Sequence, residues 1–143
     1  MTENLEIKKG SRILINENID SLIAIDKKCF SDLSWNKEAF LSELSLKFES
    51  SLLLFIGKQV VGYGIVSKKG KIFHLHKFVI NPTYKSKGFG QLLLDNLFKQ
   101  VKNKPLTLKV EVSNIDAIVF YLKRKFIFTE KSGDYYYMIH NGK

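Results

Sequence analysis

The stretch that decides the fold is Phe78-Val79-Ile80-Asn81-Pro82-Thr83-Tyr84-Lys85-Ser86-Lys87-Gly88-Phe89-Gly90-Gln91-Leu92-Leu93-Leu94. Its pattern indicates an apolar strand end, a basic glycine turn and the start of a helix. Such a turn leaves several backbone N–H groups unpaired at the helix start, where the positive end of the helix dipole also lies. Lys85 and Lys87 add full positive charges, and Gly88 and Gly90 lack the Cβ that would hold a phosphate away from the backbone. The stretch therefore predicts a site for a phosphate-like anion.

Two familiar nucleotide-binding motifs do not describe this turn. A Walker loop needs Gly, four residues and then Gly-Lys-Ser/Thr, and a dinucleotide fingerprint needs G-x-G-x-x-G with an acidic residue about 20 positions later. Neither pattern occurs in the chain. Taken alone, the turn fits a solvated basic loop that caps an ordinary helix better than it fits an anion site.

Composition bounds the class of protein. A chain of 143 residues with 45% hydrophobic content predicts one globular domain over residues 1–143. Residues 1–11 are polar and charged, and no apolar run approaches the roughly 20 residues of a membrane span. We therefore expect a cytoplasmic protein with no signal peptide and no membrane contact. The single cysteine, Cys29, cannot form an internal disulfide and is expected to pack as a small core residue.

The formal net charge of +9 implies attraction to polyanions. The negatively charged partner could be a nucleic acid, the ribosome or a phosphate-rich cofactor. The lysines are scattered along the chain, and the aromatic residues do not alternate with basic ones as they do in RNA-recognition motifs. Nucleic acid is therefore disfavoured as a substrate, while contact with the ribosome stays open.

The residues before the glycine turn predict strands and helices in a definite order. Arg12 to Ile15 are expected to form the first strand, and apolar residues at helical spacing predict a first helix from Ile19 to about residues 31–34. Asn36 suits the cap of a second helix, whose apolar face would contain Phe40, Leu41, Leu44 and Phe48. Short apolar runs separated by glycine turns then predict three antiparallel strands, namely Leu52–Ile56, Val60–Ser67 and Lys71–Ile80.

The residues after the turn continue the alternation. A leucine-rich helix ends before Pro105, the strand Leu106–Val112 follows, and Asn114 supplies a cap signal for a further helix. Phe126–Glu130 and Tyr135–Ile139 are predicted to form a terminal hairpin. The complete order is β, α, α, β, β, β, α, β, α, β, β, with seven strands and four helices.

This order and two motifs resemble the GCN5-related N-acetyltransferases, the GNAT superfamily. Lys85 to Gly90 resemble the Arg/Gln-x-x-Gly-x-Gly/Ala pyrophosphate loop of that superfamily, with Lys at the first position. The segment Ser113-Asn114-Ile115-Asp116-Ala117-Ile118-Val119-Phe120-Tyr121-Leu122-Lys123-Arg124-Lys125-Phe126 resembles its Ser-Asn-x-x-Ala-x-x-Leu-Tyr-x-x-x-Gly-Phe signature. The closest resemblance is to the RimI-type ribosomal-protein N-terminal acetyltransferases, whose Phe-x-x-Pro-Trp-Ser segment is similar to Phe30–Trp35 without the proline.

The resemblance implies an α/β (α+β) fold: a central mixed, mostly antiparallel sheet of about seven strands, splayed between strands 4 and 5, with four helices. It also implies acetyl-CoA as the cofactor. The backbone of Phe78, Val79 and Ile80 would bond the acetyl carbonyl and pantetheine in the splayed opening. Asn114 would contact the pantetheine arm as well as cap its helix, and no metal ligand is predicted. The pyrophosphate would lie on Lys85, Ser86, Lys87, Gly88, Phe89 and Gly90.

Direct acyl transfer to an amine needs a neutral amine, a polarised carbonyl and a proton for the departing thiolate. By the resemblance, Tyr121 is the proton donor, and a phenol with a pKa near 10 is protonated at neutral pH. The alternative is a tyrosine that only packs on the apolar face of its helix beside Phe120.

The proton acceptor departs from the RimI pattern. Lys109 occupies the position of a glutamate in that branch, and an ordinary lysine cannot accept a proton at pH 7. His74 lies where histone-type relatives carry a catalytic glutamate, and His76 shares its face; Glu111 shares the strand face of Lys109. His74 is the first candidate side chain and Glu111 the second, and a water relay with no dedicated side chain stands level with either. Lys125 replaces the usual glycine of the signature, so that helix end needs a different geometry or a lysine at positive φ.

These residues predict an acetyl-CoA-dependent N-acetyltransferase that acts on a primary amine, above all on a protein N-terminal amine. The alternatives are a small-molecule acceptor, such as a polyamine, aminoglycoside or amino acid, and a non-catalytic acyl-CoA-binding module. A basic protein disfavours cationic acceptors unless the pocket itself is acidic. Both a monomer and a homodimer are compatible with the sequence.

Overall fold

Seven strands form one mixed sheet in residues 4–142, the part of the chain that the computed structural model describes. They are β1 (Leu5–Lys9), β2 (Leu52–Ile56), β3 (Gln59–Lys69), β4 (Ile72–Ile80), β5 (Leu106–Glu111), β6 (Ile127–Ser132) and β7 (Tyr135–His140). Their spatial order is β1-β2-β3-β4-β5-β7-β6, with β4 and β5 parallel and the other neighbours antiparallel. The predicted mixed, mostly antiparallel sheet is confirmed.

Helices cover both faces of the sheet. They are α1 (Arg12–Glu17), α2 (Ile19–Phe30), α3 (Lys37–Leu41), α4 (Lys47–Ser50), α5 (Phe89–Gln100) and α6 (Ile115–Lys123), with short 3-10 turns at Ser31–Leu33 and Pro82–Tyr84. Buried residues of α1, α2 and α3 pack on one face, which we call the α2 face. Buried residues of α5 and α6 pack on the other, the α5 face. None of the helices in residues 4–142 has the length and apolar content to cross a membrane.

The prediction of a strand at Arg12–Ile15 was wrong, because these residues begin α1. The Ser11 side chain caps that helix by accepting the Leu14 N–H at 3.2 Å. The first strand is instead Leu5–Lys9, which pairs with β2. Four of its five residues are exposed, so this edge strand carries no buried alternation that a sequence pattern could detect.

The predicted second helix is divided in two, α3 and α4. This division and the helix α1 in place of the predicted first strand bring the helices in residues 4–142 to six, where four were predicted. Asn36 caps α3 as expected, accepting the Ala39 N–H at 2.9 Å. The helix ends at Leu41, and Leu46 adopts a left-handed φ of 54° before α4 begins. The buried Lys47 ammonium accounts for the break, because it donates hydrogen bonds to the carbonyls of Ala39, Phe40 and Ser42. These carbonyls lie at the end of α3, where an α-helix leaves its acceptors unpaired.

The sheet splays between β4 and β5 as predicted. In the described residues their pairing comprises two positions, Phe73 with Leu106 and His74 with Thr107. Beyond them, β4 continues along β3 as far as Ile80, while β5 continues along β7. The backbone edge of β4 that faces β5 is therefore open from Leu75 onward.

A bulge in β4 accompanies the splay. Ile65 of β3 pairs with Lys77 and Val66 pairs with Leu75, so His76 is an additional residue on β4. The bulge shifts the alternation of side chains. Phe78 consequently packs on the same α5-face cluster as Leu75, three residues earlier.

Candidate functional site

The glycine turn presents an uncapped helix start. Ser86 and Gly88 have left-handed φ values of 63° and 83°, and α5 begins at Phe89. No side chain caps this end, so the N–H groups of its first turn lack partners within the helix and point outward. Lys85, Ser86, Lys87 and Gly88 are exposed around it. The turn therefore has the geometry and the charge of an anion site.

The two glycines of the turn have different structural roles. A Cβ on Gly88 would meet no atom within 4 Å, so its requirement comes from the positive φ. A Cβ on Gly90 would lie 3.1 Å from the Phe120 ring. Gly90 therefore allows α5 to approach α6 closely, which the sequence did not indicate.

The three strand residues predicted at the cofactor site divide between the two faces of the sheet. Phe78 and Ile80 are half-buried against the α5-face cluster, and Val79 is buried on the α2 face. Their backbone follows the open edge of β4. Phe78 lies between α6 and the splay, with ring centroids 5.6 Å from Phe120 and 6.2 Å from Tyr121.

Tyr121 lies on α6 with 8% of its surface exposed. Its ring packs among Phe78, Phe120 and Phe126. Burial raises the pKa of its hydroxyl above the ordinary tyrosine value, so the phenol keeps its proton at neutral pH. The side chain of Asn114 accepts the Ala117 N–H at 3.3 Å and thereby caps the same helix.

His74 lies at the closed end of the splay, on the α2 face. Its Nδ1 is 2.8 Å from the Thr107 Oγ1, which joins β4 to β5 at their last paired position. The His76 ring is 4.9 Å away, and its Nε2 is 2.6 Å from the Ser67 Oγ. Burial, with smaller contributions from nearby positive charges, lowers the pKa of each histidine to about 4. Both imidazoles are therefore neutral at pH 7.

Glu111 is not brought together with His74. It is an exposed residue at the end of β5, on the same face as Thr107 and Lys109. It is four positions beyond Thr107, a distance of about 13 Å along a strand. Lys109 lies between these two residues along β5, and its ammonium is 4.5 Å from the centre of the Tyr135 ring.

A buried ionic network behind the histidines was missed by sequence reasoning. The Asp26 carboxylate accepts hydrogen bonds from the Tyr63 hydroxyl at 2.5 Å and the Trp35 N–H at 2.7 Å. It also pairs with the Lys77 ammonium at 3.0 Å, which donates to the Leu33 carbonyl. Lys77 follows the bulge at His76, so the network joins β4 to α2 and to the segment that carries Trp35. The signal available in the sequence was a charged residue at an apolar position of α2 and of β4. Asp26 follows Leu22 by four residues and so lies on the same, apolar face of its helix.

Arg124 was also missed. Its guanidinium lies 3.7 Å from the centre of the Phe120 ring and donates to the Phe120 carbonyl and the Gln91 side chain. The interaction with Gln91 places a positive charge beside the first turn of α5. The following residue, Lys125, adopts a left-handed φ of 72°, which confirms one of the two geometries expected at that helix end.

Comparison with known proteins gives the family. The model of the acetyltransferase (GNAT) family matches residues 19–126. The chain belongs to this family. Its predicted membership in the superfamily is thereby confirmed, and with it the assignment to the acetyltransferase enzymes. No curated protein matches the sequence.

Solved structures share the fold at low sequence identity. Ard1 from Thermoplasma volcanium is 22% identical, with a TM-score of 0.80 over 95% of this chain and 96% of that one. The PaiA N-acetyltransferase from Thermoplasma acidophilum, in complex with coenzyme A, is 20% identical, with a TM-score of 0.75 over 96% and 99%. The ribosomal-protein-S18-alanine N-acetyltransferase from Escherichia coli is 18% identical, with a TM-score of 0.77 over 95% and 91%. At these identities the likeness establishes the GNAT fold.

Proposed function

We propose that the protein transfers an acetyl group from acetyl-CoA directly to a primary amine, and that this amine is a protein N-terminus. The observation that carries the proposal is a pair of open backbone surfaces at one end of the sheet. One is the β4 edge beyond His74, and the other is the uncapped start of α5. An extended acyl-pantetheine arm suits the first, and a pyrophosphate suits the second. The coenzyme A in the similar PaiA structure supports this cofactor.

Acetyl-CoA supplies the acetyl group as a thioester. The backbone of Phe78, Val79 and Ile80 would orient it along the strand edge, and Asn114 would contact the pantetheine arm. The pyrophosphate would lie on the turn residues Lys85, Ser86, Lys87, Gly88, Phe89 and Gly90. The Arg124 guanidinium, held beside Gln91, adds a charge of the required sign.

The weak basicity of His74 and His76 favours an N-terminal amine over a lysine or polyamine. An α-amino group has a pKa of about 7.7–8.0, so part of it is already neutral at pH 7. A lysine-like amine with a pKa of about 10.4 is neutral in fewer than about one molecule in a thousand. A base with a pKa of about 4 cannot deprotonate such a group appreciably, whereas it can accept the proton released from an amine that arrives neutral.

The charge around the histidines also disfavours polycationic acceptors. Lys69 and Lys109 are close enough to His74 to lower its pKa, and Lys47 acts on His76 in the same way. Polyamines and aminoglycosides would meet like charge there. The fold shared with Ard1 and with the S18-alanine N-acetyltransferase is consistent with an N-terminal substrate of the RimI type.

In this proposal Tyr121 holds the proton for the departing thiolate, and His74 receives the proton from the amine. They lie on opposite faces of the sheet and would act through the gap between β4 and β5. Glu111 remains the second candidate side chain for proton acceptor, and a water relay stands level with either side chain.

The alternative of a non-catalytic acyl-CoA-binding module is favoured by one observation. Both histidines are weak bases and Tyr121 is a weak acid, since burial displaces each pKa away from neutrality. A module of this kind would bind acetyl-CoA with no turnover.

An acceptor panel tests the proposal. We would follow release of free CoA thiol with four acceptors: a lysine-free peptide with a free N-terminus, an N-acetylated peptide with one lysine, spermidine and kanamycin. The first is expected to be used best. Preference for spermidine or kanamycin would assign a small-molecule acceptor. Thermal stabilisation by acetyl-CoA with no thiol release from any of them would assign the binding module.

Two variants locate the proton acceptor in the same assay. His74→Gln should lower kcat on the peptide more than Glu111→Gln does, with little effect on acetyl-CoA affinity. The reverse order would transfer the role to Glu111.

A further inference from the structure

A basic groove lies at the end of α5 remote from the glycine turn. It is a depression of about 610 Å³ beside the end of β1, the β3–β4 turn and the turn after α5. Its lining includes the acidic residue Glu49. It also includes six lysines, namely Lys9, Lys68, Lys71, Lys99, Lys102 and Lys104. The fold thus gathers into one place lysines that are scattered through the sequence.

These six lysines are exposed, and none of them forms a salt bridge with an acidic residue of the described chain, residues 4–142. The salt bridges found in residues 4–142 join Lys8 to Glu6 and Lys77 to Asp26, and neither involves the groove. Like charges repel over a distance of about 10 Å at ordinary ionic strength. The folded protein therefore maintains a concentration of positive charge that none of its described acidic side chains neutralises by a direct contact.

The turn after α5, which carries two of these lysines, Lys102 and Lys104, has an uncommon backbone conformation. Lys102 and Asn103 are consecutive residues with left-handed φ values of 55° and 56°. Backbone hydrogen bonds from Lys102 to Lys99 and from Asn103 to Phe98 hold this conformation. Such values are sparsely populated by residues other than glycine, and they concentrate at functional sites. The conformation allows Lys102 and Lys104 to line the same groove as Lys99.

We propose that this groove binds the sugar-phosphate backbone of a nucleic acid duplex, without regard to base sequence. The lysines are dispersed point charges, which suit a succession of phosphates. Arginine, whose planar fork suits carboxylates bidentately, is absent from the lining of this groove, and this disfavours an acidic peptide. The aromatic residue of the lining, Phe73, is 7% exposed and so cannot stack on a base.

This second site is spatially separate from the first. The 12 residues of α5 place the groove about 18 Å from the glycine turn. The nucleic acid proposal therefore does not depend on the acetyltransferase proposal, and one protein molecule can use both sites together.

Matched charge variants test the groove. The groove variant carries Lys68→Gln, Lys71→Gln, Lys102→Gln and Lys104→Gln. The control carries the same loss of charge at exposed lysines outside the groove: Lys27→Gln, Lys37→Gln, Lys58→Gln and Lys131→Gln. Fluorescence anisotropy would measure binding of 20-base-pair RNA and DNA duplexes between 50 and 300 mM salt. Thermal melts and the thermal shift with acetyl-CoA would establish that both variants are folded with an intact cofactor site.

The groove variant should lose affinity at least tenfold at about 100 mM salt, and the slope of log K against log salt should decrease in magnitude by about 3, since each lysine–phosphate contact contributes about 0.7–0.9. The control should lose less than about threefold.

Binding of both duplexes, or of one alone, supports the site. The comparison also shows whether the phosphodiester backbone that the groove binds is that of RNA, of DNA or of both. Equal losses in the two variants would overturn the proposal in favour of general attraction by net charge. Polyglutamate that competes as well as a duplex of equal charge would overturn it in favour of an acidic protein.

Discussion

At the scale of single residues, the Tyr121 hydroxyl is the group whose removal should affect the proposed reaction most and the packing least. The ring is enclosed by Phe78, Phe120 and Phe126, and these contacts persist in Tyr121→Phe. We expect this variant to bind acetyl-CoA with unchanged affinity, measured by calorimetry. Its kcat should fall about 10²-fold or more, the usual contribution of one general acid.

Tyr136→Phe is the matched control, since it removes a hydroxyl from the partly buried Tyr136 of β7 and should keep kcat near the wild-type value. Wild-type turnover by Tyr121→Phe, with chemistry as the rate-limiting step, would mean that another group protonates the thiolate. Tyr121 would then be a packing residue of α6.

The residues of the candidate site differ in how far they could be predicted. Gly88 and Asn114 could be predicted from the sequence. A turn with positive φ and a helix cap are local requirements, and each produces a pattern in the neighbouring residues. Asp26 and Lys77 could not be paired in advance, since they are 51 positions apart in the sequence and meet across α2 and β4. Nor could the interaction of Arg124 with Gln91, which requires the close approach of α5 and α6 that Gly90 allows.

At the scale of elements, the start of α5 depends on the backbone conformation of Gly88. Its φ of 83° is unfavourable for a β-branched residue, while its Cβ position is free of contacts. Gly88→Val should therefore distort the turn, keep the fold and abolish stabilisation by acetyl-CoA in a thermal-shift assay.

Gly70→Val provides the matched control. Gly70 also has a positive φ, of 63°, and an open Cβ position, but it lies in the turn between β3 and β4. This variant should lose a similar amount of intrinsic stability and retain the acetyl-CoA shift. A retained shift in Gly88→Val would remove the cofactor from this turn.

The buried pair of Asp26 and Lys77 is the link between α2 and β4. Asp26→Asn leaves the Lys77 ammonium, which is 6% exposed, without its counter-charge. Removing one partner of a buried pair typically destabilises a protein by about 3–5 kcal/mol. Urea unfolding should show a loss of this order, with recovery of part of it in the double variant Asp26→Asn/Lys77→Met. Additive losses would contradict direct coupling of the two side chains.

The elements that were predicted well from the sequence form for local reasons. The two errors, the undivided second helix and the position of the first strand, arise from contacts between residues distant in the sequence. The hairpin of β2 and β3 and the helix α5 follow from apolar periodicity and turn residues. By contrast, α3 ends where the Lys47 ammonium binds its last carbonyls, and Lys47 lies six residues beyond the end of the helix. The strand β1 is recognised by its pairing with β2, a partner more than 40 residues away.

At the scale of the whole molecule, the fold converts a diffuse charge into a local one. The sequence shows a net charge of +9 and no basic run. Pairing of the strands brings the end of β1 and the β3–β4 turn beside the end of α5, and their lysines then face one groove. Spacing along the chain contains no information about this grouping, because it depends on strand order. The position of the splay, unlike that of the groove, could be inferred from the sequence. The glycine turn resembles the GNAT superfamily, and that resemblance implies a splay between strands 4 and 5.

The stability of the whole molecule should depend on pH through His74 and His76. Their folded pKa values of about 4 lie below the ordinary value of about 6.5 that they regain on unfolding. Well above pH 6.5 both states are neutral at these positions, so between pH 7 and 8 the histidines add little pH dependence. As the pH falls from 6.5 towards 4, the unfolded chain binds protons that the folded protein does not, and the free energy of unfolding must decrease.

Urea unfolding at pH 8, 7, 6 and 5 would measure this decrease, with the interval from pH 7 to 8 as the internal control. The double variant His74→Gln/His76→Gln should lose less stability between pH 7 and 5 than the wild type does, because glutamine can replace the contacts with Thr107 and Ser67 and binds no proton. Burial is the main cause of both displaced pKa values, so the difference reports how well the α2 face excludes water from the histidines. Identical pH dependence in the two proteins would mean that the imidazoles titrate as in water. The argument for an N-terminal acceptor from their weak basicity would then fail as well.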